Sequence, residues 1–66
     1  MARSREASET AKKKIMDAAS GLFARHGVNG VSIRDIAAEA GMNHALIIRY
    51  FGSKDALVTE ILHREI

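Results

Sequence analysis

The chain has 66 residues, which is enough for one small domain. It contains no cysteine, which excludes disulfide bonds and thiolate metal sites, and its 47% apolar content is too high for a disordered segment. The formal net charge is +2, no apolar run approaches the roughly 18 residues of a membrane span, and the basic start lacks the apolar core of a secretory signal. We therefore expect a soluble, cytoplasmic protein with no membrane partner.

The charges are unevenly distributed along the chain. Residues 1–14 hold five basic residues against two acidic ones, whereas residues 55–66 hold three acidic residues against one arginine. Residues 40–54 contain no acidic residue at all. This pattern predicts that one side of the domain faces a polyanion.

The first predicted element is a long amphipathic helix. Residues 1–8 are polar and patternless, and we predict a flexible basic arm there, in which Arg3 and Arg5 either follow a minor groove or belong to a disordered tail. Helix 1 is predicted over about residues 9–26, where apolar residues recur at helical spacing: Ala11, Ile15, Ala18, Ala19, Leu22 and Phe23. Gly27 suits the left-handed position that ends a helix.

The next segment predicts two short helices around a tight turn. Ser32 and Asp35 have the spacing of a capping box, which predicts helix 2 at about residues 33–39. After a turn of about three residues, Asn43 is a strong N-cap for helix 3 at about residues 44–50. This is a helix-turn-helix pattern, whose second helix enters the DNA major groove. The same pattern also describes a corner in a helical bundle that binds no DNA.

A fourth helix is predicted from Lys54, after the N-cap Ser53. Its apolar residues again recur at helical spacing: Leu57, Val58, Ile61 and Leu62. The helical pattern reaches Ile66 without a stop signal, which we interpret as a truncation. Because no strand pattern appears, we predict an all-α fold, a small bundle of three helices with a helix-turn-helix plus the start of a fourth helix.

The run from Val31 to Val58 resembles the DNA-binding domain of the TetR family of bacterial transcriptional repressors. That family's pattern is a hydroxyl residue, x-R-D-I-A-x-x-A-G-V-S, a variable segment, a Tyr-x-Tyr-Phe-like close and x-S-K-x-x-L. The matching residues are Ser32, Arg34-Asp35-Ile36-Ala37, Ala40-Gly41-Met42-Asn43, Tyr50-Phe51 and Ser53-Lys54 with Leu57. The likeness covers roughly residues 10–62. It departs from the family where Ile48 replaces a phosphate-binding Tyr and Ala45 replaces a frequent Gly or Pro.

The resemblance implies a double-stranded DNA operator as partner for residues 9–52. It also implies a homodimer and a small-molecule effector, both through a C-terminal ligand-binding domain that is absent from these residues. Residues 53–66 would then be the start of the linking helix 4. Base contacts are implied for Arg34, His44, Ala45, Leu46 and Arg49. Phosphate contacts are implied for Ser32, Tyr50 and Lys54, to which we add Asn43.

The chemistry of these residues agrees with most of these roles. The guanidinium fork of Arg34 suits guanine O6 and N7. Ser32 and Lys54 stand at helix starts, where free N–H groups and the helix dipole favour phosphate oxygens. An ordinary solvated surface position is the alternative for Arg34, Lys54 and His44.

The sequence predicts neither a metal site nor an enzyme. His44 has no partner at metal-ligand spacing, since His26 and His63 belong to other predicted helices. No nucleophile stands beside a base, and neither a phosphate-binding glycine loop nor paired carboxylates in an apolar setting are visible. We expect no cofactor.

Helix 3 has apolar residues on more than one face. We expect Ile47 and Phe51 to seal the core with Ile36, and Leu46 and Ile48 to face outward, where a thymine methyl group is the available partner. The alternative function is a helical protein-interaction module that uses Leu46 and Ile48 as an apolar anchor. Salt dependence distinguishes the two, because only phosphate contacts release counterions.

Overall fold

The structure, a computed structural model, describes the backbone of residues 2–65 and the side chains of residues 8–64. The helices are α1 (Ala2–His26), α2 (Ile33–Ala40), α3 (His44–Phe51) and α4 (Lys54–Glu65), and a single 3-10 turn, Val28–Gly30, connects α1 to α2. No strand occurs between residues 2 and 65, which confirms the predicted all-α fold class. None of the helices in this part of the chain is both long and apolar enough to cross a membrane.

Helix α1 begins at Ala2, well before its predicted start near residue 9. The backbone of residues 2–8 is therefore helical where the sequence analysis expects a flexible arm. These residues contain no glycine or proline, and Ala, Arg and Glu are good helix formers. A helix that is already anchored further along the chain extends through such a segment at little cost, because only nucleation is unfavourable. The side chains of Arg3 and Arg5 lie outside the described residues.

One hydrophobic core holds the four helices together. Helix α1 packs against each of the other three, and α3 packs against both α2 and α4. The buried residues are Ile15, Ala19, Leu22, Val31, Ile36, Ala37, Ile47, Leu57 and Ile61. Each large side chain among them contributes about 1.5–3 kcal/mol through burial. The predicted inward positions of Ile15, Ala19, Leu22 and Ile47 are thereby confirmed, and Ala18 and Phe23 are partly buried against the same core, whereas Ala11 is not part of it.

The outermost apolar residue of α4 departs from the predicted stripe. Leu57 and Ile61, four residues apart, lie on the face that packs into the core. Leu62 follows Ile61 by one residue, which turns it by about 100° around the helix axis. Its side chain is 59% exposed, so its predicted place in the apolar stripe is wrong.

The turn between α2 and α3 consists of Gly41, Met42 and Asn43. Gly41 has φ 70°, a left-handed conformation that a residue without Cβ adopts freely. The Met42 amide donates to the Ala37 carbonyl at 2.9 Å, and the Asn43 side chain accepts from the Ala45 amide at 2.8 Å. These bonds end α2 and start α3 within three residues, as the helix-turn-helix pattern predicts.

Candidate nucleic-acid interface

The start of α2 is fixed by a complete capping box. The Ser32 hydroxyl accepts from the Asp35 amide at 3.1 Å, and the Asp35 carboxylate accepts from the Ser32 amide at 2.9 Å. The bond from the Ser32 amide, and secondly the Ser32 hydroxyl, hold the pKa of Asp35 below its ordinary value. Ser32 is exposed, and its hydroxyl hydrogen remains available as a donor. A phosphate would compete for this hydrogen with the neighbouring Asp35 carboxylate.

Three predicted contact residues meet at the junction of α2 and α3. Arg34 from the first turn of α2, the N-cap Asn43 and His44 line one open groove. The Asn43 amide oxygen is used by the cap, so its NH₂ group remains available as a donor. This groove therefore presents donors from both helices of the helix-turn-helix on one side of the domain.

The outward face of α3 is centred on Ala45 and Arg49, which lie one helical turn apart and are both exposed. Leu46 and Ile48 flank this face on opposite sides, since successive residues turn by about 100°. Their side chains are 39% and 47% exposed, whereas Ile47 between them is fully buried. The predicted orientation of α3 is confirmed, and two partly exposed apolar side chains lie beside Arg49.

Tyr50 and Lys54, like His44, are half-buried, whereas the other predicted contact residues are exposed. The Tyr50 ring is half-buried and packs against the core. Lys54 is also half-buried, and its ammonium donates to the carbonyl oxygens of Val28 and Val31, at 2.9 Å each. An ammonium has three N–H donors, so one of them remains available for a phosphate.

The inward bonds of Lys54 are a role that sequence reasoning missed, since it considered only phosphate or solvent. A weak signal was present, because the short connection after Gly27 contains backbone carbonyls that need donors. Sequence alone does not identify a lysine more than twenty residues away as the source of those donors.

None of the nine predicted contact residues is buried. They lie along the start of α2, the turn, α3 and the start of α4: Ser32, Arg34, Asn43, His44, Ala45, Leu46, Arg49, Tyr50 and Lys54. Their individual roles toward bases or phosphates stay predictions. Among the side chains of residues 8–64, no three His, Asp or Glu residues come together in a group that could hold a metal ion.

Comparison with known proteins identifies relatives that regulate transcription. The chain is 52% identical over 48 residues to the HTH-type transcriptional repressor Rv3405c of Mycobacterium tuberculosis, covering 73% of this chain and 26% of the relative. It is 44% identical over 57 residues to the HTH-type transcriptional repressor SCO4008 of Streptomyces coelicolor, covering 86% and 30%. A third relative, the HTH-type transcriptional dual regulator CecR of Shigella flexneri, is 49% identical over 49 residues, covering 74% and 22%.

The chain thus spans between a fifth and a third of the length of these three relatives. No solved structure matches it at a significant level. The family model for the bacterial regulatory proteins of the tetR family matches residues 15–61, which contain the whole helix-turn-helix. The chain belongs to the TetR family, and it carries the DNA-binding helix-turn-helix of a transcriptional regulator.

Proposed function

We propose that this domain binds a specific operator with α3 in the major groove, as the DNA-reading part of a ligand-responsive repressor in the cytoplasm. The observation that supports this most directly is the division of α3 into a buried Ile47 and an outward face around Ala45 and Arg49. An α-helix with its side chains is about 10–12 Å in diameter, which fits the width of the major groove.

The proposed contacts are of two chemical kinds. Bases are read by Arg34, His44, Ala45, Leu46 and Arg49. Phosphates are held by Ser32, Asn43, Tyr50 and the remaining N–H of Lys54. The free N–H groups at the starts of α2 and α3 add a favourable field for phosphate oxygens.

Family membership as a regulator also means that the chain is not an enzyme.

The proposed partners beyond DNA are a second copy of the protein and a small-molecule effector. Two of the relatives above are named repressors, and all three are much longer than this chain. We propose that a domain outside these 66 residues mediates dimerisation and effector binding. Two linked DNA-binding heads gain affinity through effective concentration. The present chain is therefore expected to sediment as a monomer and to bind DNA weakly.

The second candidate function is a protein-interaction module. It is favoured by Leu46 and Ile48, which leave apolar surface uncovered on the same helix. A helix-in-groove contact uses such residues as anchors. This contact would depend little on salt, whereas DNA binding weakens steeply as salt displaces the protein from phosphates.

Selection of bound duplexes from a random pool, followed by a salt titration on the best site, tests the proposal. Arg34→Ala is expected to weaken binding to that site by about 1–3 kcal/mol and to relax its base preference. Arg25→Ala is the matched control, because Arg25 is also an exposed arginine but lies at the end of α1, where it bonds Gly21 and faces Glu39. An affinity independent of salt, or equal effects of the two substitutions on base preference, would contradict the proposal.

A further inference from the structure

Lys54 makes a cross-connection in this domain that no local pattern explains. Its ammonium lies 2.9 Å from the carbonyl oxygen of Val28, in the 3-10 turn, and 2.9 Å from that of Val31. The sequence separations are 26 and 23 residues, so the contact is tertiary. Bonds from a charged donor to carbonyl oxygens are stronger than neutral ones.

The two ends of this connection are differently anchored. The start of α4 is held by Ser53, whose hydroxyl accepts from the Ala56 amide at 3.1 Å, and by Leu57, which is fully buried. The connection between α1 and α2 is an irregular segment with mostly exposed residues, apart from the buried Val31. Lys54 therefore ties a less constrained segment to a rigid one.

The bonded segment leads directly into the start of α2. The Val31 carbonyl belongs to the peptide group that also contains the Ser32 amide. This peptide is therefore held on both sides. Its carbonyl accepts from the Lys54 ammonium, and its amide donates to the Asp35 carboxylate. The place of the Ser32 hydroxyl relative to α4 depends on both bonds.

We propose that Lys54 is a positioning residue for DNA binding, which holds the α1–α2 connection on α4 and thereby places Ser32 for its phosphate. This inference rests on the proposed function, in which Ser32 contacts DNA. It differs from a role in which Lys54 acts only through a phosphate of its own, because it couples two residues on different helices.

The first test is amide hydrogen exchange in the free protein. Lys54→Met keeps the unbranched apolar stem and removes the ammonium. Exchange at the amides of Gly30, Val31 and Ser32, all of which are hydrogen-bonded, should become faster relative to the α3 amides. Lys14→Met, which removes an exposed ammonium from α1, is the control and should leave these rates unchanged. Unchanged rates in Lys54→Met would overturn the proposal.

The second test is a double-mutant cycle on duplex binding, at a temperature where circular dichroism shows every variant folded. Ser32→Ala should weaken binding of the original chain and of Lys14→Met by about 2- to 10-fold, the typical net value of one hydrogen bond. In the Lys54→Met background the same substitution should weaken binding less than about 2-fold, since the hydroxyl is already misplaced. Equal losses in all three backgrounds would show that Lys54 acts independently of Ser32 and would overturn the proposal.

The design separates this inference from the proposed function. If the original chain binds no duplex, the proposed function fails and the placement of Ser32 for DNA fails with it, while the exchange rates still report on the connection itself. If Lys54→Met does not fold, Lys54→Gln takes its place in both measurements, because its side chain is shorter and carries no charge.

Discussion

The guanidinium of Arg64 lies 3.0 Å from the carboxylate of Asp17 and joins the last turn of α4 to the middle of α1. The same guanidinium lies 3.4 Å from the Ser20 hydroxyl. Lys54 makes a corresponding connection from the first turn of α4. Helix α4 is thus bonded by basic side chains at both ends, and its two buried residues, Leu57 and Ile61, lie between them.

The Arg64–Asp17 pair is expected to stabilise the domain modestly. Its side chains are 36% and 58% exposed, so solvent screens the attraction, and a double-mutant cycle with alanine should give a coupling of about 0.2–1 kcal/mol in urea unfolding. The coupling should fall in about 1 M salt. The pair between Arg25 and Glu39, at 3.9 Å and with both side chains more than half exposed, is the control and should couple less. A larger coupling for the control pair would contradict this assignment.

The capping box makes stability depend on acid pH. The pKa of Asp35 lies below its ordinary value of 3.8, chiefly because of the Ser32 amide and then the Ser32 hydroxyl. A depressed pKa in the folded state adds stability above the unfolded pKa, and this stability is lost as the pH falls through the folded pKa. Between about pH 5 and pH 2, the original chain should therefore lose more unfolding free energy than Asp35→Asn, which cannot titrate. Parallel pH curves from urea unfolding would refute this.

Ile47 and Ile48 are neighbours with opposite environments, which makes them a matched pair. Ile47 is fully buried, and Ile47→Ala should lower the unfolding free energy by about 2–5 kcal/mol, a large part of the stability of a domain this small. Ile48 is 47% exposed, so Ile48→Ala should change it by no more than about 0.5 kcal/mol, while weakening DNA binding. Thermal melts of the two variants provide the measurement. Similar melting temperatures would mean that the orientation of α3 is wrong.

Gly41 and Gly21 form a second matched pair, because a change to alanine should alter the stability of the domain in opposite directions at the two positions. Gly41 has φ 70° at the end of α2, and Gly41→Ala should destabilise the domain by about 1–2 kcal/mol. Gly21 lies inside α1 with nothing within 4 Å of an added Cβ, and Gly21→Ala should stabilise it by about 0.4–1 kcal/mol. Urea unfolding of both variants tests the sign of each effect. Stabilisation by Gly41→Ala would contradict the left-handed turn.

Ile48 also allows a test of the apolar contact with DNA. A tyrosine hydroxyl at this position can donate to a phosphate, so Ile48→Tyr should strengthen binding to most duplexes by about 0.5–1.5 kcal/mol. Discrimination at one A·T pair should fall, because tyrosine cannot make the apolar contact that we propose between Ile48 and the thymine methyl. The measurement compares the selected site with the same site carrying uracil, which lacks only that methyl. Equal affinity of the original chain for the two duplexes would eliminate the methyl contact.

The short-range signals in the sequence predicted most of the fold. A capping box, an N-cap asparagine and stop glycines act within a few residues, so the starts of α2, α3 and α4 agree with prediction. The start of α1 did not agree, because a helix without a stop signal extends as far as its residues allow. The exposure of Leu62 depends on how α4 rotates against α1, which no local pattern specifies.

The candidate site was predictable to a similar degree, and for the same reason. The helical period predicts which residues of α3 face outward, and the exposures of Leu46 and Ile48 confirm it. The bonds from Lys54 to Val28 and Val31 required the packed arrangement of three segments that are distant in the sequence. A lysine at a helix start is equally compatible with solvent, with a phosphate and with a backbone carbonyl.

In helix α3, the residue that stabilises the core differs from the residues proposed to read DNA. Ile47 is fully buried, whereas Ala45, Leu46, Ile48 and Arg49 are exposed. Exposed positions usually tolerate substitution with little change in folding free energy. After a gene duplication, such a domain can therefore acquire a preference for a new DNA sequence one substitution at a time, and every intermediate on that route remains folded.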